Sequence, residues 1–184
     1  RRLLEGRTLA MIFAKPSTRT RVSFEVAMYE LGGYALFLNP QDLQLGRGET
    51  VADTARVLSR MVDGILIRTF EQAEVEELAR HATVPVINGL TNTFHPTQAV
   101  ADLLTLREHK GDLHRLVVTY VGDGNNVAHS LMLGAARVGM ELRVCTPPEL
   151  APDPEVVRMA QQKAEETGAR ILLCHDPAEA VDGV

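Results

Sequence analysis

Cysteine is scarce: only Cys145 and Cys174 occur in 184 residues. Each sits in an apolar run, Leu142-Arg143-Val144-Cys145 and Ile171-Leu172-Leu173-Cys174. That usage excludes a disulfide framework and reads as two free, packed thiols in a reducing compartment. No apolar run approaches the roughly 20 residues that cross a bilayer, and the start carries no signal-like pattern. The expectation is a cytoplasmic protein with no membrane partner. Basic charge is in deficit, with 19 Lys+Arg against 24 Asp+Glu and a net charge of −5. Nucleic acids and membrane surfaces need a basic face, so no nucleic-acid partner is expected. A local basic pocket for a small anion remains compatible with an acidic protein. Internal repeats, low-complexity tracts, a Walker lysine pattern, a metal-ligand cluster and a Ser-His-Asp order are all absent.

What is present is ordinary globular composition, 45% apolar and 23% charged, on a chain long enough for a domain or a domain and a half. Short apolar runs alternate with amphipathic stretches. The runs Thr8–Phe13, Tyr34–Leu38, Gly64–Ile67, Val84–Asn88, Leu116–Val121, Leu142–Cys145 and Ile171–Leu173 read as strands covered on both faces. Between them lie helical spacings: Phe24, Ala27, Met28 and Leu31; Val51, Ala55 and Leu58; Val75 and Leu78; Val100, Leu103 and Leu104; Val127, Leu131 and Ala135; Val156, Met159 and Ala160. This alternation predicts an α/β fold of two doubly wound parallel-sheet domains joined by a helix. The polar turn His109-Lys110-Gly111-Asp112 marks a boundary, giving domains at 1–110 and 111–184. The chain opens without a start methionine and stops as a further strand begins. It is expected to be a piece of a longer protein with an incomplete second domain.

The densest chemistry follows the first strand. Lys15-Pro16-Ser17-Thr18-Arg19-Thr20-Arg21 packs three hydroxyls and two arginines into five residues where a helix starts. A helix N-terminus offers free N–H groups and the positive end of the dipole. Hydroxyls and a planar guanidinium add donors matched to phosphate oxygens. The plain alternative is a capped helix with solvated arginines, and the density of donors favours an anion. Arg19 and Arg21 lie two apart and cannot share one helical face. One is expected to meet the ligand and the other to support the loop.

Four further places share the logic. Arg68 ends a strand, where parallel sheets place ligands; alone it reads as a solvated arginine. Phe94-His95-Pro96-Thr97-Gln98 opens a helix after a strand; Thr97 is its plain cap candidate, and His95 taken singly reads equally as structural or functional. Gly122-Asp123-Gly124-Asn125-Asn126 resembles a dinucleotide turn but lacks the full glycine fingerprint. Its asparagines suit either helix capping or a polar substrate. Leu43–Thr50, with two glycines, reads as a surface loop or as a loop reaching a ligand, in a neighbouring subunit if not in its own. Three of the places pair a strand end with a helix start. Ser17–Arg21, Arg68 and His95–Gln98 are thus expected to face one anion-binding pocket.

These motifs, with Asp53-Thr54-Ala55-Arg56-Val57-Leu58 between them, resemble the aspartate/ornithine carbamoyltransferase family nearly end to end. Gly-Asp-Gly-Asn-Asn followed by Val127-Ala128-His129-Ser130 resembles its ornithine branch. The resemblance implies an enzyme of arginine metabolism that moves a carbamoyl group from carbamoyl phosphate to the δ-amine of L-ornithine. It implies that Ser17, Thr18, Arg19, Thr20, Gln44, Arg68, His95 and Gln98 bind carbamoyl phosphate, with Arg68 and His95 catalytic, and that Asn126 binds ornithine. It further implies that no metal or organic cofactor is needed, a homotrimer or an assembly of trimers, and more acceptor-site residues beyond Val184. The alternatives are a carbamoyltransferase for aspartate, putrescine or an acylated ornithine, and an anion-binding module without catalysis. A nucleotide-binding Rossmann protein is the weakest, since it predicts NAD or ATP binding.

Overall fold

The computed structural model describes residues 2–41, 43–44 and 48–184. Within the loop expected over Leu43–Thr50, Leu45, Gly46 and Arg47 lie outside the described residues, as do Arg1 and Asp42. The chain forms two compact units, Arg1–Asn92 and Thr93–Val184.

Unit 1 runs β1 (Thr8–Phe13), α1 (Thr18–Glu30), β2 (Tyr34–Leu38), α2 (Val51–Leu58), β3 (Gly64–Arg68), α3 (Gln72–His81) and β4 (Val86–Leu90). The strands form one parallel sheet in the order β2-β1-β3-β4. Successive residues of a strand point to opposite faces, and β1 shows what that does. Leu9, Met11 and Phe13 pack with Met28 and Phe24 of α1 on one face. Ala10 and Ile12 pack with Ala55, Val75 and Leu78 of α2 and α3 on the other. The sheet is therefore doubly wound. Strand order reverses between β1 and β3, whose last residues Phe13 and Arg68 are register partners. The crevice at such a reversal, at the carboxyl ends of the strands, is where this architecture receives ligands.

β4 differs from the expected Val84–Asn88. It starts at Val86 because Pro85 has no N–H to give a ladder; its carbonyl accepts from Ile65 N at 2.9 Å. It continues past the expected end at Asn88, because the register slips there. Ile67 pairs with Asn88 but Arg68 pairs with Leu90, leaving Gly89 as the extra residue of a bulge. A Cβ on Gly89 would come within 3.1–3.4 Å of Leu66, Ile67 and Arg68, so glycine is what lets β4 pass this close.

Unit 2 runs α4 (Pro96–Lys110), β5 (Val117–Val121), α5 (Asn126–Val138), β6 (Glu141–Cys145), a 3-10 turn (Pro148–Leu150), α6 (Pro154–Thr167), β7 (Arg170–Cys174) and α7 (Pro177–Ala180). Its sheet is parallel in the order β5-β6-β7. The core lies on one face, where Leu142, Val144 and Ile171 meet Ala128, Met132 and Ala136 of α5 and Val156, Val157 and Ala160 of α6. α4 packs on α5, and the short α7 packs on β6 and β7. Gly139 and Gly168 close α5 and α6 in the left-handed conformation, which glycine adopts without a Cβ clash. Cys145 is buried, Cys174 is partly buried, and both thiols are free. Among the described residues no helix is long and apolar enough to cross a membrane.

Candidate functional site

In unit 1 the site is built from the start of α1. Ser17 is its N-cap, with φ −161° and ψ 113°, and its Oγ accepts from Thr20 N at 3.3 Å. The same Oγ donates to Thr20 Oγ1 at 3.0 Å. These bonds fix both hydroxyls beside the helix's first N–H groups. A cavity of about 680 Å³ opens there, touching Ser17, Thr18, Arg21 and Phe37. The two arginines divide as their spacing requires. Arg21 donates from Nε to Glu25 Oε1 at 2.9 Å and stacks 3.6 Å from the centre of the Phe37 ring. It is held in place by the protein, while Arg19 is exposed.

Arg68 is the last residue of β3 and is tied to the loop that leads into α1. Its carbonyl accepts from Ala14 N at 2.9 Å and Lys15 N at 3.3 Å. Its Nε donates back to Lys15 O at 3.2 Å. The guanidinium's pKa is lowered from the ordinary arginine value, first by burial and second by the charge of Arg19. Two like charges brought together beside a helix N-terminus repel one another until an anion sits with them. Lys15 adds a third cation, its Nζ lying 5.4 Å from the centre of the Phe70 ring.

Gln44 is exposed on the connection from β2 to α2. Its backbone carbonyl accepts from Glu49 N at 3.4 Å. Among the described residues its side chain makes no hydrogen bond to Ser17–Thr20 or Arg68.

In unit 2 the expected polar residues lie at two helix starts. His95 is the N-cap residue of α4 with Pro96 next to it, and it makes no side-chain capping bond. Thr97, the cap candidate of the sequence, instead places its Oγ1 3.3 Å from His95 Nδ1. Gln98 is exposed and donates from Nε2 to Asp102 Oδ1 at 2.8 Å. At α5 the two asparagines separate. Asn125 is the cap, accepting from Val127 N at 2.8 Å and Ala128 N at 3.3 Å, and Asn126 is the first helical residue. The loop before them is pinned. Tyr120 donates its hydroxyl to Asp123 O at 2.8 Å, and Gly124 N donates to Leu150 O at 2.7 Å. A Cβ on Gly124 would lie 2.2 Å from Pro152 N, so no other residue fits this turn.

Two features escaped the sequence reading. The Lys15 carbonyl, a backbone atom, orients Arg68. His129 and Ser130, one turn into α5, are buried at 7% and 5% exposure and bond to the segment that carries His95. A lone histidine and serine on a helix carry no signal of such partners. The bulge at Gly89 did have a signal, a glycine inside a strand pattern. Among the described residues, no group of three or more His, Cys, Asp or Glu is placed to hold a metal.

Comparison with known proteins gives a consistent result. The family model described as the aspartate/ornithine carbamoyltransferase carbamoyl-P binding domain matches residues 1–108. The model of the Asp/Orn binding domain of aspartate/ornithine carbamoyltransferase matches residues 114–184. An ornithine carbamoyltransferase of Carboxydothermus hydrogenoformans is 64% identical over 181 residues, which cover 98% of this chain and 58% of that protein. An anabolic ornithine carbamoyltransferase of Pyrococcus furiosus is 61% identical over 180 residues, covering 98% and 57%. The solved structure of ornithine carbamoyltransferase from Pyrococcus furiosus has a TM-score of 0.92 at 60% identity, covering 98% of this chain and 57% of that one. The chain thus spans somewhat over half the length of the curated relatives it matches.

Proposed function

The chain belongs to the aspartate/ornithine carbamoyltransferase family, and on that premise we propose that it carries the carbamoyl phosphate half, and part of the acceptor half, of an enzyme converting carbamoyl phosphate and L-ornithine to L-citrulline and phosphate. The observation that carries this reading is the arrangement at the strand reversal of unit 1. A capped helix start with fixed hydroxyls lies where Arg68, bonded to the Lys15 carbonyl, feels the charge of Arg19. That is a receptor for a compact, highly charged anion. The acceptor is read as ornithine because the relatives at about 60% identity are named for it. The name of one of them includes "anabolic", which supports a role in arginine synthesis.

In the proposed reaction the uncharged δ-amine attacks the carbamoyl carbon. A carbon–nitrogen bond forms, the carbon–oxygen bond to phosphate breaks, and one proton is released. Arg68 and His95, with Thr20, stabilise the oxyanion of the tetrahedral intermediate through oriented donors. Ser17, Thr18, Arg19 and the helix N-terminus hold the departing phosphate. Gln44 and Gln98 complete the hold on carbamoyl phosphate, and Asn126 holds the amino-acid end of ornithine. Bringing both substrates together in reacting geometry supplies much of the rate.

The proposed division of ligand roles, 1–110 for carbamoyl phosphate and 111–184 for ornithine, differs from the packing division at Asn92/Thr93. α4 packs with α5 yet begins with the proposed carbamoyl phosphate ligands His95 and Gln98. A cytoplasmic homotrimer, or an assembly of trimers, completes the reading. The test is twofold. Calorimetry should show carbamoyl phosphate binding to this chain, and the full-length enzyme should form citrulline from ornithine in preference to carbamoylating aspartate, putrescine or N-acetylornithine. Binding of carbamoyl phosphate without any transfer would leave only an anion-binding module.

A further inference from the structure

Three polar residues are buried in unit 2: His129, Ser130 and Thr146. Buried polar groups are costly unless every one is bonded, so the partners of the first two are informative. His129 Nδ1 lies 2.9 Å from Thr93 O, and its Nε2 lies 3.0 Å from Asp153 N. A carbonyl only accepts and an amide only donates. The ring therefore carries its proton on Nδ1 and presents a lone pair at Nε2. Phe94 packs against it edge-on, with ring centres 6.2 Å apart. Ser130 Oγ accepts from His95 N at 2.7 Å and donates to Asn126 O at 2.9 Å.

These four bonds join the segment bearing His95, the residue Asn126 and the start of α6 through adjacent side chains of α5. The Ser130 pair forms a directional chain, His95 N–H to Ser130 O–H to the Asn126 carbonyl, in which each bond polarises the next. The helix itself does not need the second of them. A serine bonding back to the carbonyl four residues earlier slightly destabilises and bends a helix. The bond is retained where it ends on the proposed carbamoyl phosphate ligand at one side and the proposed ornithine ligand at the other.

We propose that Ser130 is a positioning residue that links the two substrates energetically, with His129 holding the segment before His95 so that the link is rigid. The inference rests on the carbamoyl-transfer reading above. Filling either half-site orders one end of the chain, and binding linkage requires the other substrate to gain by the same factor. Ser130→Ala removes both bonds of the serine, while Ser130→Thr keeps the hydroxyl.

The test uses the full-length enzyme and two unreactive probes. Phosphonoacetamide replaces the ester oxygen of carbamoyl phosphate by a methylene, and L-norvaline is ornithine without its δ-amine. The Kd of norvaline is measured by calorimetry with and without saturating phosphonoacetamide. Wild-type enzyme should bind norvaline more tightly when phosphonoacetamide is present. Ser130→Ala should lower that enhancement up to about tenfold, the worth of one net hydrogen bond, and Ser130→Thr should restore it. Enhancement that survives Ser130→Ala unchanged, or wild-type binding of both probes with no enhancement, overturns the link. Wild-type enzyme that binds neither probe instead removes the carbamoyl-transfer reading. Should Ser130→Ala fail to fold, nitrogen-15 NMR of the wild type still decides. The structure requires a protonated Nδ1 at His129 and a His95 amide protected from exchange; an Nε2–H tautomer or a fast-exchanging amide sinks the proposal.

Discussion

In unit 1 the polar site is made largely by backbone, and in unit 2 largely by buried side chains. The start of α1 offers its own N–H groups, and Arg68 is aimed by the Lys15 carbonyl. The strand order of a doubly wound sheet brings these two segments together whatever side chains they carry. In unit 2 the order β5-β6-β7 has no reversal, so topology alone gathers nothing at one point. There the segment before His95 is tied to α5 by His129 and Ser130. A compact anion is suited by a rigid backbone receptor.

The largest effect should come from breaking the backbone-built half at its proposed catalytic side chain. Arg68→Gly in the full-length enzyme should lower citrulline formation by about 10²–10³-fold, the usual cost of removing a donor from a developing oxyanion. Carbamoyl phosphate binding should weaken in parallel. Unchanged turnover would show that the receptor works without its guanidinium and would remove the role proposed for Arg68.

Next come the cores beneath the two half-sites. Met11 and Met132 are each fully buried, one under α1 and the other within α5. Truncating either to Ala should cost about 2–5 kcal/mol in urea unfolding. The comparison is sharpened by anion binding measured below the unfolding midpoint. Met11→Ala lies within β1, the strand that leads to Ser17, and should weaken carbamoyl phosphate binding; Met132→Ala should leave the unit 1 contribution in place. Equal weakening by both would contradict a receptor organised by unit 1 packing.

How much of this was legible in the sequence follows from the same contrast. The alternation of strands and helices rests on local periodicity, and the fold bears it out; the proposed anion site at Ser17–Arg21 and the proposed division of labour between Arg19 and Arg21 rest on helix geometry. β4 was misplaced by two residues at each end, Val84–Asn88 against Val86–Leu90. Pro85 was counted as strand, and the strand was ended at Asn88, before the bulge at Gly89. The cap of α4 went to Thr97 rather than His95, since a histidine with no capping bond leaves no signature. The roles of Ser130 and His129 depend on Thr93, His95 and Asp153, which lie 24–36 residues away. No spacing rule reaches that far.

Smaller effects should come from the caps. Ser17→Ala and Asn125→Ala each remove a side chain that accepts helix N–H groups, and each should cost about 1 kcal/mol of stability. Their functional consequences should differ. Ser17 also orders Thr20, so its loss should weaken binding of carbamoyl phosphate. Asn125 caps the helix that begins with Asn126, so its loss should be felt first by ornithine.

The smallest effect concerns how each sheet is stitched at the amino ends of its strands, opposite the proposed sites. In unit 2 Glu141 accepts from Arg143 Nε at 2.9 Å and from Arg170 Nη1 at 2.8 Å. In unit 1 Asp63 accepts from Thr8 N at 2.9 Å and from Arg7 Nη1 at 2.6 Å. The carboxyl pKa of Asp63 is held below its usual value, first by the Thr8 N–H and second by Arg7. A carboxylate whose folded-state pKa is depressed contributes stability that is fully present above the unfolded value, near 3.9. That contribution is lost as pH falls through the folded value. Stability of unit 1 should therefore fall between about pH 5 and the depressed pKa. Asp63→Asn keeps an oxygen for the Thr8 N–H but removes the charge and its titration, so it should flatten that acid limb by lowering stability near neutral pH toward the acid value. Asp63 is partly exposed, so the effect should be modest and should shrink in high salt. An acid limb as steep in Asp63→Asn as in the wild type would assign it to other carboxylates.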